Sequence, residues 1–210
     1  MFNFRYMRYR HLNYKRFFIY ILILLSLIFI LKGCFSSKEK IEPSPTPTPS
    51  VQEGMDQYKN VAVYYNGTEY TTSHGKHYSA DGYYYGLKWQ CVEYVKRFYY
   101  EAKKHPLPNL FGNAKDFYDP NLAHGEFNAD RGLVQYKNGG NIAPMPDDIL
   151  VFTHATYGHV AIITEVGSDY IEIIQQNVGN KTREKFKLTV KGNSYIIEAK
   201  NPPTVWLRKI

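Results

Sequence analysis

Six segments in the last third of the chain dictate most of what it can fold into. "DILVF" (148–152), "HVAIITEV" (159–166), "YIEIIQQN" (170–177), "KFKLTV" (185–190), "YIIEA" (195–199) and "TVWLR" (204–208) are short and rich in β-branched and aromatic residues. Ahead of them lies one amphipathic helix pattern. It begins near Cys91 and sets Val92, Val95, Phe98, Tyr99 and Ala102 at helical spacing. Glu93 falls in its first turn and Lys103 and Lys104 in its last, both signs suiting the helix dipole, and His105-Pro106 ends it. "VAVYYNG" (61–67) reads as a strand closed by an Asn-Gly turn, followed by a Tyr- and Gly-rich loop to Gly86. Residues 106–147 read as loop, with a short helix around Asn113 to Tyr118. A helix followed by a run of strands predicts an α+β domain with an antiparallel sheet.

The N-terminal part has a different composition. Phe17 to Leu31, "FFIYILILLSLIFIL", is apolar apart from one Ser, and a basic stretch precedes it. The run is 15 residues long, short of the ~20 that span a bilayer comfortably. "LKGC" follows, ending at Cys34. It resembles a bacterial lipobox, in which Cys34 is the lipidated residue, with Lys32 where the pattern prefers a small or apolar residue. Two expectations stand: a signal peptide with lipidation at Cys34, or an uncleaved membrane anchor, over residues 1–34. Both place the domain in the cell envelope, outside the cytoplasm. Residues 35–55 alternate Pro with Ser and Thr and read as an extended tether. The domain proper is expected over 56–210, as a monomer.

Charge follows the same division. Of the 26 Lys and Arg, six lie in residues 1–34 with no acid among them, leaving 20 against 19 Asp and Glu. The domain lacks the basic excess that nucleic-acid binding requires, so no nucleic-acid partner is expected.

Cys91 is the one cysteine inside the domain. A helix N-terminus favours thiolate over thiol, and a thiol kept in an oxidising compartment suggests use. A nucleophile also needs a base. His159 opens the strand "HVAIITEV" beside Gly158, which leaves room for a substrate or a facing helix. If Val166 faces Tyr170 across "GSD" (167–169), Ile163 pairs with Ile173 and His159 lies opposite Asn177. Asn177 then orients the imidazole, completing a nucleophile, base and orienter. The bland alternatives are a buried structural thiol, a solvent-facing His and a turn-forming Asn. A metal set of Cys91, His154 and His159 lacks the paired spacing of zinc ligands, so no metal is expected.

"GLKWQCVEYVKRFYY", "MPDDILVF", "GHVAIITEV" and "QQNV" together resemble the CHAP family, the cysteine, histidine-dependent amidohydrolases/peptidases, and most closely its glutathionylspermidine amidase branch. The resemblance covers about Val61 to Ile210. It implies a papain-like (NlpC/P60-related) fold in which the helix bearing Cys91 packs on an antiparallel sheet. It also implies Cys91 as nucleophile, His159 as base and Asn177 as orienter, with no cofactor. Asp147 stands where the family often has Gly, and Asp148 matches the family Asp. Adjacent Gln90 is a candidate oxyanion donor. The leading expectation is cleavage of an amide in peptidoglycan. The alternatives are a glutathionylspermidine-type amidase and a non-catalytic cell-wall-binding module. Tyr83, Tyr84, Tyr85, Tyr99, Tyr100 and Tyr157 are candidates either for a substrate groove or for the core.

Overall fold

Alternating residues along the central strands feed two separate apolar layers, one on each side of a sheet. Ile149, Val151, Val160 and Ile162 enter one layer, while Leu150, Phe152, Ala161 and Ile163 enter the other. Both sets are buried, so these strands are hydrophobic without interruption. The computed structural model describes residues 18–23 and 54–210. Cys34 and the 35–53 part of the Pro-rich segment lie outside the described residues, as does the apolar run apart from the helical piece 18–23. Among the described residues no helix is long and apolar enough to cross a membrane.

Twelve strands carry the described part of the domain. β1 (Asp56–Tyr58) pairs with β2 (Val61–Val63), and β3 (Lys76–Tyr78) with β4 (Tyr84–Leu87). The main sheet contains β5 (Glu126–Asn128), β6 (Leu133–Lys137), β7 (Ile149–Phe152), β8 (His159–Val166), β9 (Tyr170–Ile174), β10 (Arg183–Lys191), β11 (Ser194–Glu198) and β12 (Val205–Arg208). Its order is β11-β10-β9-β8-β7-β12-β6-β5, and every neighbouring pair is antiparallel. The fold is therefore mixed, with a large antiparallel sheet and few helices.

The sheet curls back on itself. The free edge of β11 is met by the loop after β6: the Gly139 N–H donates to Tyr195 O (2.8 Å) and the Tyr195 N–H to Gly140 O (2.9 Å). The Asn138 side chain acts as a short strand partner, donating to Ile197 O and accepting from its N–H. This satisfies an edge that would otherwise expose unpaired backbone. The curl closes over the second layer, around Trp206, Leu188 and Ile197.

α1 (Cys91–Glu101) lies against the first layer. Tyr94, Val95 and Phe98 have no exposed surface and share a cluster with Val151, Val160 and Ile162. Full burial of each such side chain contributes about 1.5–3 kcal/mol. The helix stops earlier than its spacing predicts. Ala102 is the C-cap, so Lys103 and Lys104 lie beyond it and do not complement the dipole. Lys103 instead pairs with Asp147 at 2.5 Å, as Lys59 does at 2.6 Å. Asp147 sits at φ +77, the left-handed conformation in which Gly is at ease, which accounts for the Gly that the resembling family often has there.

Residues 106–147 hold more than loop. The 3-10 turn Ala114–Phe117 occupies the expected short helix, and β5 and β6 follow it. In the β8–β9 hairpin, Ile163 pairs with Ile173 as the loop length predicts. A bulge between Ile163 and Glu165 then shifts the ladder, so Val166 faces Ile171, not Tyr170.

Candidate active site

The start of α1 and the start of β8 meet at one end of the sheet. Cys91 is buried, 8% exposed, and is a free thiol. His159 lies beside it, close enough for each group to shift the titration of the other. Burial pushes the thiol up, but the His159 hydrogen bond, the imidazolium charge and backbone hydrogen bonds at Val160 and Val92 outweigh it. The net result lies below the ordinary thiol value of 9.0. Burial likewise lowers His159. The hydrogen bond and charge of Cys91, the hydrogen bond of Gln175 and the charge of Glu184 reverse this and hold it above 6.5. The two shifts oppose each other in the sense that favours a thiolate–imidazolium pair.

The His159 ring is hydrogen-bonded by Gln175, not by Asn177. The Gln175 Oε1 lies 2.9 Å from His159 Nε2. Gln175 is itself held: its Nε2 donates to Lys181 O (3.2 Å) and towards Glu184 Oε2 (3.5 Å). Asn177 fails the expected pairing because the chain leaves the ladder after Ile174 and Asn177 turns left-handed, at φ +70. Its side chain joins an amide chain instead. Asn177 Nδ2 donates to Gln90 Oε1 (2.7 Å) and Tyr70 O (2.8 Å), and its Oδ1 accepts from Asn66 Nδ2 (2.7 Å).

Gln90 is committed to the same chain. Its Nε2 donates to Thr72 O (2.6 Å) and Tyr70 O (3.1 Å), so both amide hydrogens are taken by the 70–72 loop. It is not free to donate to an oxyanion. Gly158 leaves the expected room for a facing helix, here the 3-10 turn Ala114–Phe117. At φ +73, a Cβ there would meet Lys115 N and Phe152 O at 2.6 Å. The space beside it is filled by backbone, and the Lys115 N–H donates to Tyr157 O at 3.0 Å.

A cleft of about 560 Å³ opens over Cys91 and His159. Tyr84 and Tyr157 line it, joined by Tyr70, Leu87 and Phe111. The other candidate tyrosines do not. Tyr85 and Tyr99 are buried, and Tyr83 and Tyr100 stack on each other at 4.7 Å beside a separate depression.

The CHAP domain profile matches residues 81–177, which takes in Cys91, His159 and Gln175. This segment is a CHAP domain. The chain is 30% identical over 129 residues to trypanothione synthetase of Crithidia fasciculata, covering 60% of this chain and 19% of that protein. It is 30% identical over 109 residues to glutathionylspermidine synthase of the same organism, covering 45% and 14%. It is 26% identical over 130 residues to the bifunctional glutathionylspermidine synthetase/amidase of Escherichia coli K12, covering 56% and 21%. The chain thus spans about a fifth or less of the length of these relatives. The CHAP domain and these relatives support an amidase or hydrolase of the CHAP type.

Proposed function

We propose that the chain is a thiol amidohydrolase in which Cys91 is the nucleophile, His159 the general base and acid, and Gln175 the residue that positions the imidazole. The observation that carries this is that Cys91 and His159 line one cleft, each shifting the titration of the other. The Cys91 thiolate attacks the amide carbonyl carbon, forming a C–S bond as the carbonyl π electrons move onto oxygen. The Cys91 backbone N–H, at a helix start where N–H groups lack intrahelical acceptors, faces the oxyanion. The imidazolium gives its proton to the leaving nitrogen as the C–N bond breaks. Water then attacks the thioester, His159 takes its proton, and the C–S bond breaks to release the carboxylic acid and regenerate the thiolate. In this reading the helix bearing the nucleophile packs on the sheet in a papain-like arrangement.

We place the enzyme in the cell envelope, tethered through lipidated Cys34 or the apolar run, with an amide of peptidoglycan as substrate. The lipobox-like "LKGC" and the Pro-rich segment after it support this. Amidase action on glutathionylspermidine is the second reading, favoured by the names of the relatives. Incubating the protein with peptidoglycan fragments and with glutathionylspermidine, and weighing the products, decides between them. Radiolabelled lipid on the wild type but not on Cys34→Ala supports lipidation; membrane retention without label supports the anchor.

The orienter assignment has its own test. Gln175→Ala lowers kcat about 100-fold, the scale expected when a catalytic group is misplaced by about 1 Å. It also removes a hydrogen bond that raises His159, so the alkaline limb of kcat/KM moves to lower pH. Asn177→Ala frees the 70–72 loop and leaves that limb in place. An unmoved limb in Gln175→Ala, or a moved one in Asn177→Ala, returns the role to Asn177.

The pH dependence follows from the two shifts. Cys91 lies below 9.0, so the thiolate survives to lower pH than a free thiol. His159 lies above 6.5, so the imidazolium survives to higher pH than a free imidazole. Iodoacetamide therefore alkylates Cys91 on the acid side of the ordinary thiol range. In His159→Ala, burial is opposed only by the backbone hydrogen bonds at Val160 and Val92, and alkylation moves towards alkaline pH. Identical alkylation profiles in the two proteins would rule out the ion pair.

A further inference from the structure

The cleft has walls of unusual neutrality for a site that sits on a reactive pair. Among the described residues, none of those lining it is Asp, Glu, Lys or Arg. Its walls are mainly aromatic and aliphatic, with the uncharged polar side chains of Thr71, Gln90, Asn113 and Asn177 among them, and Tyr70 is 62%, Phe111 75% and Leu87 42% exposed. The nearby carboxylates are occupied elsewhere. Glu93 is fully buried and bound to His77, Arg97 and Gln176. Glu184 pairs with Lys181 at 2.6 Å. Asp116 accepts the Asn113 N–H at 2.7 Å and caps the 3-10 turn. Glu69 neighbours the wall residue Tyr70 in sequence but does not line the cleft.

One feature makes the cleft unfavourable to cations: the positive end of α1 opens into it at Cys91, while the thiolate and imidazolium together add no net charge. An ammonium brought into these walls loses its water and finds no carboxylate, which is costly.

We propose that the cleft takes amides whose amine half carries no further positive charge, with small or flat uncharged groups lying against Tyr70, Tyr84, Leu87 and Phe111, and that it rejects amides of polyamines. This rests on the assignment of Cys91 and His159 as the reacting pair. It selects between the substrate classes considered above by charge alone.

The test uses the full chain and two substrates sharing one blocked dipeptide acyl group. One is joined to a neutral amino-acid amide, the other to a linear triamine through one terminal nitrogen. The wild type is expected to cut the neutral amide with a kcat/KM at least about 100-fold higher, and calorimetry with Cys91→Ala is expected to show binding of the neutral amide only. Leu87→Glu places a carboxylate on an exposed wall position and is expected to narrow the ratio at least 10-fold. Equal or better cleavage or binding of the triamine amide overturns the proposal and leaves the Cys–His assignment standing. Selective binding of the neutral amide to Cys91→Ala, with no cleavage by the wild type and no acid-side alkylation of Cys91, supports the proposal and removes the catalytic assignment.

Discussion

Cys91→Ala should abolish amide hydrolysis while leaving the fold in place. The change removes one buried sulfur atom from the end of a helix, and the stability cost of such a deletion is on the order of 1 kcal/mol. The chemical cost is of a different order. Loss of the nucleophile in a nucleophile–base pair lowers kcat by about 10⁴- to 10⁶-fold, because the remaining groups then act only on water. His159→Ala should fall in the same range, and the double variant should be little worse than either, since the two residues act as one unit. The measurement is turnover of a cleaved amide by each variant, beside thermal unfolding to establish that the protein is folded. Turnover within 10-fold of wild type in folded Cys91→Ala would remove the thiol mechanism.

Why the pair was legible and its third member was not comes down to strand geometry. Cys91 announces itself by helix position, and His159 by opening a strand whose limits, 159–166, are those seen in the structure. Sequence also reached the Ile163–Ile173 pair. Extending that register to Asn177 assumes that both strands stay in the ladder to their last residue, and β9 does not. Gln175 has the same parity as Ile173 and lies diagonally from the position opposite His159. Diagonal neighbours are ~7–8 Å apart at Cα, within reach of a long side chain. Its side chain reaches His159 from that diagonal position.

The missing strands have a simpler cause. "LVQYK" (133–137) is strand-like and bounded by Gly132 and by Gly139-Gly140, but its five residues were submerged in polar surroundings. β5, with Glu126 and Phe127 exposed, carries almost no burial signal. The engagement of Gln90 is hidden from sequence for a different reason. Its position beside the nucleophile said nothing of the 70–72 loop, whose carbonyls claim its amide.

Glu93→Ala is the substitution expected to cost most in stability. In sequence Glu93 is an ordinary first-turn acid, a surface residue stabilising a helix dipole by ~0.3–1 kcal/mol. In the structure it has no exposed surface, and four hydrogen bonds reach its carboxylate. Arg97 Nε donates at 2.6 Å and Nη2 at 3.4 Å, His77 Nδ1 lies at 2.7 Å and Gln176 Nε2 donates at 2.7 Å. Gln176 also donates to Gln90 O at 3.0 Å and accepts the Tyr64 N–H, so this carboxylate ties β2, β3 and α1 to the residue beside Gln175. Removing it leaves the Arg97 guanidinium, 3% exposed, with only the Ala62 carbonyl and neighbouring rings. Breaking a buried pair from one side costs about 3–5 kcal/mol, a fall in Tm on the order of 10 °C for a domain of this size. Burial raises the Glu93 carboxyl, but His77, Arg97 and Gln176 together hold it below 4.5. Its contribution is therefore complete above the unfolded-state value of about 4.5 and fades as pH falls through the lower folded value. Thermal melts should show the gap between wild type and Glu93→Ala narrowing in acid. Adding Arg97→Leu should restore part of the loss, because the stranded charge is what Glu93→Ala leaves behind. A Tm within 2–3 °C of wild type for the single variant, a shift of about 1 kcal/mol or less, would mean that water or the surrounding rings compensate Arg97 and that the carboxylate is not what locks the helix start to the strand end.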